Sequence, residues 1–158
     1  MDKIKFKIAV CFLVILLLIT TFYMAYVHIP YNQYHNQLDV IRNEICEKNN
    51  YQYLDYFNEH HGQEVYYILK IKMNEDEYYV AYNTKKELVS SLKGPFADEE
   101  KVKQAINKRY KTDIKNLEVG FENNKFVYCQ KIQDQKKLIY VYYSLENGEF
   151  VKAYYVED

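Results

Sequence analysis

The sequence predicts an α+β membrane protein: a single N-terminal transmembrane helix followed by two tandem units, each one helix packed on an antiparallel meander. Three observations carry this reading. An unbroken apolar run lies near the N-terminus, and β-rich runs punctuated by turn residues fill most of the remainder. The order of elements in the second half also repeats that in the first.

The apolar run is Ile8 to Ile29, IAVCFLVILLLITTFYMAYVHI, 22 residues without a charged side chain. As a helix it extends about 33 Å, which matches a hydrocarbon core of ~30 Å. Lys3, Lys5 and Lys7 precede it. The positive-inside rule therefore places residues 1–7 in the cytoplasm and the rest of the chain outside the cell membrane. Tyr23, Tyr26 and Tyr31 sit at the other end, where interfacial aromatics belong. Pro30 is expected to end the helix, leaving residues 30–35 as a short juxtamembrane lead. A signal peptide has a shorter apolar region and a small-x-small cleavage site. The stretch Thr20 to Tyr26 offers none, so an uncleaved single-pass anchor is expected.

Residues 36–93 form the first unit. Leu38, Ile41 and Ile45 mark one face of a helix. The runs EVYYILKIKM and EYYVAYN, separated by Asn74-Glu75-Asp76, read as a hairpin, and a shorter strand spans Glu87 to Leu92. Residues 94–97 are a linker. The second unit, residues 98–158, opens with Asp98 as helix cap and Glu99 and Glu100 at the helix's positive end. Val102, Ala105, Ile106 and Arg109-Tyr110 continue at helical spacing. Four strand-like runs follow: IKNLEVGF, KFVYCQKI, KLIYVYYS and EFVKAYYV. Asn123-Asn124, Asp134-Gln135-Lys136 and Asn147-Gly148 separate them, the last a strong hairpin signal. Tyr67 and Tyr128, Val80 and Val141, and Tyr82 and Tyr143 each lie 61 positions apart. A unit of about sixty residues is marginal alone, so the two are expected to share a core.

Outside the anchor the chain is mildly acidic. Removing Lys3, Lys5, Lys7 and Asp2 from the totals of 21 basic and 22 acidic residues leaves 18 and 21, a net charge of -3. Phosphate backbones require clustered Lys and Arg, so nucleic acid is not an expected partner. Tyrosine is the compositional outlier, 19 residues against no Trp. Adjacent pairs occur at Tyr66-Tyr67, Tyr78-Tyr79, Tyr142-Tyr143 and Tyr154-Tyr155. Neighbours in a strand point to opposite faces, so one of each pair is expected in the helix-covered core and the other on the far face. Any single tyrosine is accounted for by a half-wet sheet. Taken together, Tyr66, Tyr78, Tyr142 and Tyr154 make a candidate partner-binding face.

Residues for chemistry are sparse. His60-His61 before Gly62 read as a solvated turn, with no third ligand indicated. Cys46 and Cys129 follow no spacing motif; a disulfide is chemically permitted outside the cell, but they read better as small buried hydrophobes. Ser90, Ser91 and Ser144 lack elbow glycines, and there is no phosphate loop. No catalytic, cofactor-binding or metal residue is assigned, and no small-molecule substrate is expected.

The order of elements, the opening Gly94-Pro95-Phe96-Ala97-Asp98-Glu99-Glu100 and the closing KLIYVYYSLENGEFVKAYY together resemble the TseB/YpmB-like cell wall elongation regulators of Firmicutes. Val141-Tyr142-Tyr143-Ser144-Leu145-Glu146-Asn147-Gly148-Glu149 is similar to the closing signature of PepSY repeats, whereas the first unit's counterpart, Val80 to Glu87, lacks the glycine. The helix opens with Ala97-Asp98 where that family commonly shows a Ser cap. The resemblance implies two PepSY-like (cystatin-like) units and no enzymatic activity. It also implies a partner, a penicillin-binding protein or another membrane protein of wall synthesis, with the bilayer contacted through residues 8–29. Two other functions stay open: a PepSY-like regulator of peptidases at the cell surface, and a glycan-binding module.

Overall fold

The structure is a computed structural model, and it describes residues 3–134 and 137–157. The chain is α+β, with one long N-terminal apolar helix and two antiparallel four-stranded sheets. It divides into two compact units, residues 1–43 and 44–158.

In the first unit, helix α1 (Lys3–Tyr23) passes through a π-helical turn (Met24–His28) into helix α2 (Ile29–Asn49). Among the described residues this is the one helix long and apolar enough to cross a membrane, and its apolar side chains are exposed. Pro30 does not end it, and residues 30–35 are helical rather than a loose lead. The π turn accounts for this. The Ile29 N–H donates to the Met24 carbonyl, one residue further back than an α-helix requires. Pro30 then lies in the first turn after the offset, where a missing N–H costs little.

The second unit begins with the last turns of α2. Strands β1 (Gln52–His61), β2 (Val65–Met73), β3 (Asp76–Asn83) and β4 (Leu88–Lys93) form the first sheet in that spatial order. Helix α3 (Glu99–Tyr110) follows, then β5 (Glu118–Glu122), β6 (Lys125–Asp134), β7 (Lys137–Ser144) and β8 (Phe150–Glu157), again in sequential order. The repeat in the sequence is thus a repeat of topology, with β2 answering β6 and β3 answering β7. Asp98 caps α3 as expected, its carboxylate accepting from the N–H groups of Glu100 and Lys101. The turn expected around Gln135 and Lys136 lies outside the described residues.

Strand β1 was not legible as a strand, and His60-His61, expected in a solvated turn, are its last two residues. A bulge between Tyr53 and Tyr56, with Asp55 at φ 47°, breaks the alternation that marks a strand.

One core unites the two sheets. Val102 and Ile106 of α3 pack with Tyr128, Ile132, Val141 and Tyr143 on one face of the second sheet. Ile68, Tyr79 and Ala81 of the first sheet join the same cluster through Val119 and Phe121 of β5. Fully burying each such aliphatic side chain is worth about 1.5–3 kcal/mol. The opposite face of the first sheet buries Leu69, Ile71, Val80 and Tyr82, and Ile45 at the end of α2 is buried too. A Lys86–Glu44 ion pair and a Tyr82-to-Tyr51 hydroxyl bond of 3.2 Å fasten this end. No disulfide joins Cys46 and Cys129.

Candidate functional site

The sheets meet at their edges. β1 and β5 are both edge strands, yet they do not pair as a ladder. Instead the Tyr56 hydroxyl takes the place of a neighbouring strand. It accepts from the Val119 N–H at 2.5 Å and donates to the Val119 carbonyl at 3.2 Å. The Asn58 side-chain amide donates to the same carbonyl at 3.1 Å. Burial pushes the Tyr56 hydroxyl well above its ordinary range, so it stays a donor.

This junction carries the end of β1 to the outer side of β5. His60 is 7% exposed and Glu122 7% exposed, the only buried charged or titratable polar pair in the core among the described residues. The His60 Nε2 lies 3.4 Å from Glu122 Oε1, and the Lys152 ammonium lies 2.8 Å from Glu122 Oε2. The acid thus has a partner on each oxygen, which is what permits its burial. Burial by itself depresses the Lys152 amine, but hydrogen bonds to Glu122 and to the Tyr154 hydroxyl outweigh it, and the net shift is upward. Lys152 also stands 4.7 Å from the ring centroids of both Tyr142 and Tyr154.

Two of the chain's four glycines are placed around this pair. A Cβ on Gly120 would lie 2.5 Å from His60 Cε1, and one on Gly62 would lie 2.1 Å from Glu122 Oε1. No real Cβ tolerates either distance, so glycine here serves close packing. At neither position is the backbone in the left-handed region.

Beyond the pair opens a groove on the face of the second sheet that α3 leaves uncovered. One compartment, about 370 Å³, lies between the end of β1 and a floor of Cys129, Tyr140 and Tyr142. A second, about 540 Å³, shares Tyr140 and Tyr142 and continues past Gly62 to Tyr154 and Val156. Cys129 at the floor is buried, and desolvation, reinforced by Glu118 and Glu122, pushes its thiol up to about 12. It therefore remains a neutral thiol at neutral pH.

Of the four tyrosines expected on one binding face, the structure brings two together. Tyr142 and Tyr154 meet edge to face at 5.9 Å. Tyr142 is nevertheless 8% exposed, the inner wall of the groove rather than a surface ring, while Tyr154 is 49% exposed. Tyr66 points the other way: it packs on Phe121 at 5.1 Å against the shared core and donates to Glu64 at 2.8 Å. Tyr78 is half-buried on the first sheet, opposite Ile71 and remote in register from β7 and β8. The expectation that one tyrosine of each pair decorates an outer face fails for Tyr66 because that face of the first sheet is buried by β5.

Glu122, Lys152 and Tyr140 were not singled out from sequence, and His60 was read only as part of a solvated turn. The partner of His60 lies 62 positions away, beyond the reach of spacing arguments. The available signal was the scarcity of glycine, which made Gly62 and Gly120 informative. Among the described residues no cluster of three or more His, Cys, Asp or Glu side chains is placed to share a metal ion. No protein-family model, curated protein or solved structure matches the chain.

Proposed function

We propose that this protein is a membrane-anchored, extracellular, non-enzymatic regulator of peptidoglycan elongation that acts by binding a penicillin-binding protein. The observation that carries a binding role is the tyrosine-lined groove. Its central charges are already paired with one another, and its one thiol is neutral and buried. Such a surface recognises by shape, ring contact and hydrogen bonds. Residues 8–29 hold it at the bilayer, and Lys3, Lys5 and Lys7 favour a cytoplasmic N-terminus. The choice of wall synthesis, and of a penicillin-binding protein within it, follows the resemblance to the TseB/YpmB-like regulators. Two PepSY-like units are the matching reading of the repeated helix-and-sheet topology.

The exposed end of β8 is the contact expected to face the synthase, because Tyr154 and Tyr155 stand out from an unpaired edge. A photo-crosslinking residue at Tyr154 or Tyr155, introduced into the full chain in cells, is expected to capture a penicillin-binding protein. Capture no greater than from Glu75, at the tip of the β2–β3 turn, overturns the reading.

A further inference from the structure

The two sheets present the same strand positions to very different surroundings. In the first sheet Ile68, Ala81 and Leu92 face inward and belong to the shared core or pack on it. Their counterparts in the second sheet are Cys129, Tyr142 and Tyr154: Ala81 pairs with Ser90 where Tyr142 pairs with Lys152, and Tyr79 pairs with Leu92 where Tyr140 pairs with Tyr154. Ile68, Ala81 and Leu92 are thus replaced by a thiol and two phenols, and Ser90 by an amine. The replaced face is the groove.

We infer that the groove is a binding site for a neutral saccharide chain. Tyr140 and Tyr154 are cross-strand neighbours on the open face and both line the groove, so the pair can serve as a shelf for the apolar face of a sugar ring. Behind the shelf, Glu122 is held by Lys152 and His60, and Glu59 stands 3.3 Å from His61. With these charges matched internally, the groove offers no buried lone charge that an ionic ligand would neutralise. What it offers a ligand is phenolic hydroxyls, the side chains of Asn58 and Gln130 and, at the open rim, one exposed carboxylate and one exposed ammonium, Glu118 and Lys131. Hydroxyl-rich and without net charge is the ligand chemistry that a lining with one rim acid and one rim base accepts. The two adjoining compartments make the site longer than one ring, so a chain of several sugars fits it better than a monosaccharide. A dry protein interface would call for the apolar set that the first sheet keeps.

This goes beyond the docking role proposed above, and its test is separate from crosslinking. The full chain, held in lipid nanodiscs, is titrated with chitotetraose and with maltotetraose while saturation transfer from protein to sugar protons is recorded. Transfer to the ring protons of at least one oligosaccharide is expected, with binding weakened at least tenfold in Tyr154→Ala and in Tyr140→Ala. Leu88→Ala, an exposed side chain on β4, is expected to leave it unchanged. Absence of transfer to both sugars overturns the inference, as does undiminished binding in Tyr154→Ala. So does displacement of the sugar by an acidic or a basic peptide that binds the same tyrosines more tightly. Tyr154 is far enough exposed that its loss leaves the core intact, and an unchanged unfolding midpoint verifies this. Sugar binding retained without synthase capture sinks only the docking role; synthase capture without sugar binding sinks only this inference.

Discussion

The first and second sheets share topology and much of their register, yet they solve opposite problems. The first has both faces buried, one of them in the core it shares with the second sheet. The second buries the face under α3 and leaves the other as an aromatic groove. The copies differ on both faces, Leu69 against Gln130 and Tyr78 against Ile139 on the helix-covered side included, but only on the other face does the exchange open a groove. Three helix-covered positions agree and are buried in both copies: Tyr67, Val80 and Tyr82 against Tyr128, Val141 and Tyr143. On the face freed from packing, the buried Ile68 and Ala81 and the packed Leu92 give way to Cys129, Tyr142 and Tyr154. Function is to be sought where the copies disagree.

Substitutions that attack the freed face test this contrast most severely. Lys152→Met leaves the Glu122 carboxylate buried with half its pairing gone, and a loss of about 3–4 kcal/mol is expected from chemical denaturation of the full chain in micelles. Ser90, which occupies the corresponding place in the first sheet, is expected to accept Ala at little cost. If Lys152→Met costs under about 1 kcal/mol, the paired charges are not what holds the end of β1. Gly120→Ala drives a methyl into His60 and is expected to cost about 2–3 kcal/mol, read from the same midpoint. His60→Ala in that background is expected to recover part of the loss.

Alkaline titration separates the sheets in another way. The Cys129 thiol titrates near 9.0 when unfolded and about 12 when folded. Below the first value its contribution is complete. Above it the unfolded chain loses a proton that the folded chain keeps, so stability declines with rising pH until the second value is passed. The expected slope is about 1.4 kcal/mol per pH unit. Cys129→Val removes that component between pH 9 and 10 and leaves the decline due to buried tyrosines, such as Tyr128, beginning at higher pH. Ile68 holds the equivalent position in the first sheet and carries no such dependence. Tyr56→Phe deprives Val119 of its outward partner and is expected to cost about 1–2 kcal/mol, measured by the denaturation midpoint. Smallest is Glu77→Gln, which breaks the half-exposed ion pair with Lys70 on the first sheet; under about 0.5 kcal/mol is expected in the same assay.

Much of this contrast was visible before any coordinates. The hairpin of β2 and β3, the Asp98 cap and all four strands of the second sheet follow from alternation and turn residues that act locally. Three features did not. β1 hides behind the bulge at Asp55, which shifts the phase of its alternation midway. The π turn lets a helix run through Pro30, because a one-residue offset in hydrogen bonding leaves no trace in side-chain chemistry. The His60–Glu122–Lys152 cluster joins three strands from distant parts of the chain, and each residue alone reads as surface. The tyrosine pairs pointed to outward faces, and the structure places Tyr142 and Tyr154 along one groove. They failed for Tyr66, since which outer face survives as a surface depends on how the two sheets dock.

The hydroxyl of Tyr56 also bears on how such molecules coexist. A bare strand edge is a template for fibre growth. One phenol and one amide close the β5 edge while leaving the two sheets separate. The two sheets thus stay separate instead of fusing into one continuous eight-stranded sheet. At this edge a side chain stands where the backbone of a neighbouring strand would otherwise be.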